Sequence, residues 1–183
     1  MEDFKSLLAL EFSPYGTLTG EQLTLLEQHY QLLLRWNRKM NLTRITSVGD
    51  AVRYHYCESL YLAKSLPEGA LRIVDIGSGA GFPGIPVAIY RPDCKVHLVE
   101  SHQRKAVFLS EATLDLPNTR VLPVRSEDVS ETYDWMISRA VRPDDVLKLK
   151  LAPNIAVLGT EGEKLPWGEF RALFHVKHHH AMI

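Results

Sequence analysis

The hydrophobic positions of the chain change period near residue 67. Up to that point they recur as on a helix face. Leu23, Leu26, Tyr30 and Leu33 follow at three- to four-residue spacing, and Thr19 and Gln22 stand ahead of them with capping-box spacing. A connector, NLTRIT (41–46), separates this helix from a second one, which the pattern starts after Ser47, with Asp50 at its third position, and carries through Val52, Leu60 and Leu62 toward Leu66. Pro67, Glu68 and Gly69 then break the chain. Beyond the break, short apolar runs at Leu71–Ile76, Lys95–Glu100, Thr119–Val124, Tyr133–Ser138 and Ile155–Leu158 alternate with helical patterns at Gly84–Tyr90, His102–Leu114 and Asp144–Leu151. Leu173–Lys177 reads as a last strand, and the segment 159–171 is poorly patterned. Strands separated by helices predict an α/β fold, a mostly parallel Rossmann-like sheet with helices on both faces, preceded by a helical extension. The division expected is a cap over 1–66 and an α/β core over 67–183.

Composition narrows the class. With 183 residues, 45% hydrophobic and 23% charged, the chain is an ordinary globular one, which excludes collagen-like and disordered classes. No apolar run is long enough for a membrane span, and the acidic start MEDFK does not read as a secretion signal. Cys57 and Cys94 form no disulfide framework, so a reducing cytoplasm is expected. The four histidines at 175 and 178–180 sit in what reads as a flexible tail, without the acids or thiols of a preorganised metal set; no metal is expected. A net charge of −1 argues against a bulk polycation. A local patch survives that argument: between Gln28 and Gly49 there is no acid, while Arg35, Arg38, Lys39 and Arg44 give +4. These four are the candidate RNA contacts. Trp36 continues the apolar stripe and is assigned to packing, and Asn41 to fixing the connector backbone.

The strongest local signal is VDIGSGAGFPG (74–84), which places four of eleven glycines within eight residues between a strand and a helix. Residues 79–84 fit the dinucleotide pattern G-x-G-x-x-G, with Glu100 at the end of the next strand to take ribose hydroxyls. Asp75 separates the readings. A carboxylate beside the turn repels a pyrophosphate but suits the ammonium group of S-adenosylmethionine. Glycine packing alone, a nicotinamide-dependent oxidoreductase, a methyltransferase acting on a small molecule and a non-catalytic RNA-binding relative are the competing interpretations.

Five segments together carry a specific likeness: WNRKMNLT (36–43), HYCESL (55–60), DIGSGAGFPGIP (75–86), RSED (125–128) and SRA (138–140). In this order the chain resembles the RsmG (GidB) family, bacterial 16S ribosomal RNA guanine-N7 methyltransferases of the class I fold. The resemblance implies that Gly77 and Phe82 line a cofactor pocket for S-adenosylmethionine, to which Gly79 of the glycine turn and Glu100, read above as a ribose acceptor, are also assigned. It puts Ser126 and Glu127 on the adenine side and Arg139 near the reacting end. The substrate implied is a guanine of the 530 loop in 16S rRNA or the small subunit, and a monomer is expected. No catalytic acid or base is named, because guanine N7 carries a free lone pair and no proton. The family has RH-x-x-DSL where this chain has YHYCESL (54–60), so His55 and Glu58 are expected to pair and lock the cap to the core. The likeness fades after about residue 150. Val157-Leu158-Gly159 lacks the family's lysine before glycine, and the terminal antiparallel hairpin is expected to be short.

Overall fold

The computed structural model describes residues 3–44, 47–139, 141–159, 173–177 and 180–182. Helix α1 (Phe4–Phe12) is capped by the Asp3 side chain, which accepts from the Ser6 amide. Helix α2 (Gly20–Asn37) opens with the expected capping box, Gln22 N–H to Thr19 at 3.1 Å and Thr19 N–H to Gln22 at 2.9 Å. Ser47 caps α3 (Val48–Ala51), which passes through a π-helical turn (Val52–Cys57) into α4 (Glu58–Ser65). The second expected helix is therefore one rod with a widened turn inside it. Such turns insert a residue into the helical register and are frequent at functional sites.

The strands are β1 (Arg72–Ile76), β2 (Lys95–Val99), β3 (Thr119–Leu122), β4 (Trp135–Arg139), β5 (Asn154–Gly159), β6 (Leu173–Lys177) and β7 (His180–Met182). They form one sheet in the order β3-β2-β1-β4-β5-β6-β7, parallel except for β7, which runs antiparallel to β6. The expected terminal hairpin is present and short. His175 and His180 stand in its strands rather than in a flexible tail; His178 and His179 lie outside the described residues.

Helices α5 (Gly84–Tyr90) and α6 (Gln103–Ala112) follow β1 and β2, a 3₁₀ turn (Ser126–Asp128) follows β3, and α7 (Pro143–Leu149) follows β4. Ile73, Val96, Leu98 and Ile137 face a core shared with α1, α2, α4, α5 and α6, while Val74, Ile76, Val99 and Met136 face Val146 and Leu151 around α7. Helix α5 is buried on every side, held between the sheet and the N-terminal helices, so those helices and the sheet have one continuous core. Strand order reverses between β1 and β4, and in open α/β sheets the crevice beyond the carboxyl ends at such a point holds the ligand.

Candidate functional site

At that reversal the glycine turn leaves β1. Ile76 pairs with Val99 on one side and Ser138 on the other, and the buried Ser138 hydroxyl donates to the Ile76 carbonyl at 3.0 Å, tying the ends of β1 and β4. Gly77 follows with φ +70°, and a Cβ there would stand 2.8 Å from the Val141 side chain. The turn needs glycine both for its conformation and for the close approach of the loop after β4.

Asp75 is fully buried and accepts the Gly84 amide at 3.0 Å, which anchors the first turn of α5. Its other oxygen, Oδ1, has no hydrogen-bond partner. Burial pushes its carboxyl up to about 7. Part of the role expected of Asp75 is thus structural, and one acceptor remains for a ligand donor such as an ammonium. Glu100, 8% exposed, accepts the Gly79 amide at 3.0 Å and the His102 amide at 2.8 Å. A carboxylate has about four acceptor positions, so two remain for ribose hydroxyls. The structure thus joins Gly79 and Glu100 directly. The orphaned Asp75 oxygen and the open glycine turn fit the aminocarboxyl and ribose parts of S-adenosylmethionine.

Phe82, expected to line the cofactor pocket from the first loop, sends its side chain into the protein. Its ring is buried under the N-terminal helices, stacked on His55 (4.5 Å between centroids, 16° between planes) and edge-on to Tyr56 and His29. Its side chain clamps the glycine loop to the cap.

His29 was not legible as a site residue. It is buried, with Nε2 3.0 Å from the Ala80 carbonyl and Nδ1 2.9 Å from the Tyr56 hydroxyl. Ala80 can only accept, so Nε2 carries the proton and Nδ1 accepts from Tyr56. Burial lowers the imidazole to about 4, against the Ala80 hydrogen bond that favours its charge. Only an apolar-stripe position with a polar residue could have signalled this contact.

The expected His55–Glu58 pair is not formed. His55 Nε2 meets the Thr43 hydroxyl at 2.8 Å, and Glu58 instead faces Arg139 at 3.7 Å. The two residues stand at the end of the π turn, where the Glu58 amide donates to the His55 carbonyl while the side chains turn to different partners. Burial lowers His55 to about 3, with the Arg139 charge adding to the effect. Burial raises Glu58 to about 7, which Arg139 opposes only in part. Arg139 ends β4, as expected, at the rim of the crevice.

Ser126 and Glu127 occupy the 3₁₀ turn after β3 and line a cavity of about 260 Å³ with Val129, Asp145, Lys148, Leu149 and Leu151. Among the described residues no hydrogen bond links this turn to the glycine loop. Arg35, Arg38, Lys39 and Arg44 are exposed and form no ion pair with described residues. Trp36 packs edge-on to Phe108 and donates to Glu111 at 2.9 Å, the packing role expected of it. The connector is held by Asn37 rather than Asn41: its Oδ1 accepts the Leu42 and Thr43 amides, and its Nδ2 donates to the Thr43 carbonyl. Among the described residues no group of three His, Cys, Asp or Glu could hold a metal, and no helix is long and apolar enough to cross a membrane.

A SAM-dependent O-methyltransferase from Thermotoga maritima has a similar fold (TM-score 0.50, 19% identity, over 69% of this chain and 49% of that one). Two curated proteins named ribosomal RNA small subunit methyltransferase G are closer in sequence. The protein of Pelotomaculum thermopropionicum is 38% identical over 78% of this chain and 63% of its own length. That of Chromobacterium violaceum is 42% identical over 67% and 60%. The chain thus spans less than two thirds of the length of either relative. The family model described as rRNA small subunit methyltransferase G matches residues 22–161, and with the segments that build the crevice inside that match, the chain belongs to the GidB family.

Proposed function

We propose that this chain binds S-adenosylmethionine on the glycine turn and methylates N7 of a guanine in the 530 loop of 16S rRNA. The observation that carries the reading is the crevice at the β1–β4 reversal. There Gly79 is bound to Glu100, and Asp75 keeps one buried oxygen without a partner. When bound, the cofactor supplies an electrophilic methyl: its carbon–sulfur bond breaks as the N7–carbon bond forms, leaving a neutral thioether and a cationic base.

The protein's contribution is placement. Asp75 accepts from the ammonium, Glu100 holds the ribose, and Ser126 and Glu127 border the adenine. Guanine N7 needs no deprotonation, so no side chain is assigned as general base. Holding the reactants aligned and away from water supplies up to roughly 7–11 kcal/mol in well-oriented cases. Arg35, Arg38, Lys39 and Arg44 take the RNA backbone, the cap over 1–66 closes the site, and the protein works as a cytoplasmic monomer on rRNA or the small subunit.

The test is incubation with methyl-labelled S-adenosylmethionine and small-subunit particles lacking the modification, followed by digestion to nucleosides. Label in 7-methylguanosine supports the reading. Cofactor binding without transfer favours a non-catalytic relative, and transfer that ignores RNA favours a small-molecule enzyme.

A further inference from the structure

The rim of the crevice holds a polar pair that the folded chain leaves unfinished. Glu58 and Arg139 keep 15% and 21% of their side-chain surface, and their closest approach, 3.7 Å, is an ion pair too long for a hydrogen bond. Described residues donate no hydrogen bond to Glu58, and Arg139 Nη1 is buried with no acceptor. Next to them His55 Nδ1 is also without a partner, its ring fixed against Phe82. Buried polar groups in folded proteins are overwhelmingly paired, so unpaired ones clustered beside a ligand crevice point to partners supplied by the ligand.

The position fits the second substrate. Arg139 ends β4 and Glu58 begins α4, on the side of the glycine turn opposite Glu100 of β2. The pair offers one acceptor and one donor side by side. On guanine, O6 and N1–H are adjacent and present an acceptor and a donor. Adenine presents the reverse, an amino donor and a bare N1. Bases taken out of a stack are read by hydrogen bonds to this edge, and N7, on the neighbouring Hoogsteen edge, is not engaged by these contacts.

Resting on the methyltransferase reading above, we propose that Glu58 and Arg139 select guanine, with Arg139 donating to O6 and Glu58 accepting from N1–H. The long ion pair is then the resting state of a reader, completed by the edge of the base.

The test uses small-subunit RNA in which the guanine that the wild-type chain modifies is replaced by inosine or by 2,6-diaminopurine. Both analogues keep N7. Inosine keeps O6 and N1–H, whereas diaminopurine has an amino group and a bare N1 there. The expected result is inosine methylated within a few-fold of guanine and diaminopurine about 10- to 100-fold worse in kcat/KM, the span that one bidentate contact gives. Glu58→Gln, whose amide also offers a donor, should narrow the guanine-to-diaminopurine ratio toward one while its Kd for S-adenosylmethionine stays within about threefold. A purely structural ion pair would lower all substrates together and leave the ratio unchanged. Diaminopurine methylated as well as guanine by the wild type overturns the inference without recourse to any variant. An unchanged ratio in Glu58→Gln also overturns it. Absence of 7-methylguanosine from the unmodified substrate overturns the methyltransferase reading, and this inference with it.

Discussion

Asp75 and His29 each hold the glycine turn by a hydrogen bond, to the Gly84 amide and the Ala80 carbonyl, and their protonation works in opposite directions. The Asp75 carboxyl is raised in the folded chain from 3.8 to about 7. Its contribution to stability is therefore complete below pH 3.8 and lost as pH rises toward 7. Asp75→Asn keeps an acceptor for Gly84 without that loss, so its stability relative to wild type should grow across this window. Thermal scans at several pH values measure it, each kcal/mol gained raising Tm by roughly 2–4 °C in a chain of this size. His29 is lowered from 6.5 to about 4, so its contribution is present above pH 6.5 and lost as pH falls through 4. The stability gap between wild type and His29→Phe should accordingly widen from pH 4 to 6.5 in urea titrations, and a gap independent of pH would contradict a neutral buried imidazole. The chemistry of Asp75 was readable from residue type and place after a strand. That of His29 was not, because its partners Ala80 and Tyr56 are 51 and 27 residues away and only the folded cap brings them together.

Among the elements, those whose determinants are local were readable. Helix α5 has the bounds that its apolar run and flanking glycine predict, and α2 starts at its capping box. The π turn left no trace in the apolar pattern, because a single inserted residue does not disturb a periodicity averaged over several turns, and the partners Thr43 and Arg139 that His55 and Glu58 take instead of each other are distant in sequence. The anchor of the connector after α2 is hidden for a similar reason: Asn37 and Asn41 are equally good turn formers, and only the positions of the Leu42 and Thr43 amides choose between them. Asn37→Ala leaves both amides without their acceptor and should cost about 2–3 kcal/mol, read as a lower urea midpoint. At the start of α5 the tolerance is smaller. A Cβ on Gly84 would collide with Leu98 and the Asp75 carboxyl, so Gly84→Ala should lose at least about 2 kcal/mol and weaken cofactor binding together with stability.

Over the whole molecule, the N-terminal helices and the sheet share one core, which ties those helices to the strands that carry the glycine turn. The exposed cations lie at the end of α2 and in the connector that follows it, and Trp36 packs that end of α2 against α6. If these cations hold RNA phosphates, changing Lys39 or Arg44 to Gln should reduce the slope of log affinity against log salt by about one and weaken binding to all sequences alike. The proposed methyl transfer requires a sulfonium amino-acid cofactor on the glycine turn. Calorimetric titration of wild type and Asp75→Asn with S-adenosylmethionine tests this most directly. Expected are one site per chain and an affinity at least about tenfold weaker in the variant, the size of one lost charged hydrogen bond. No binding by the wild type, or equal affinity in a variant that is folded, would contradict it.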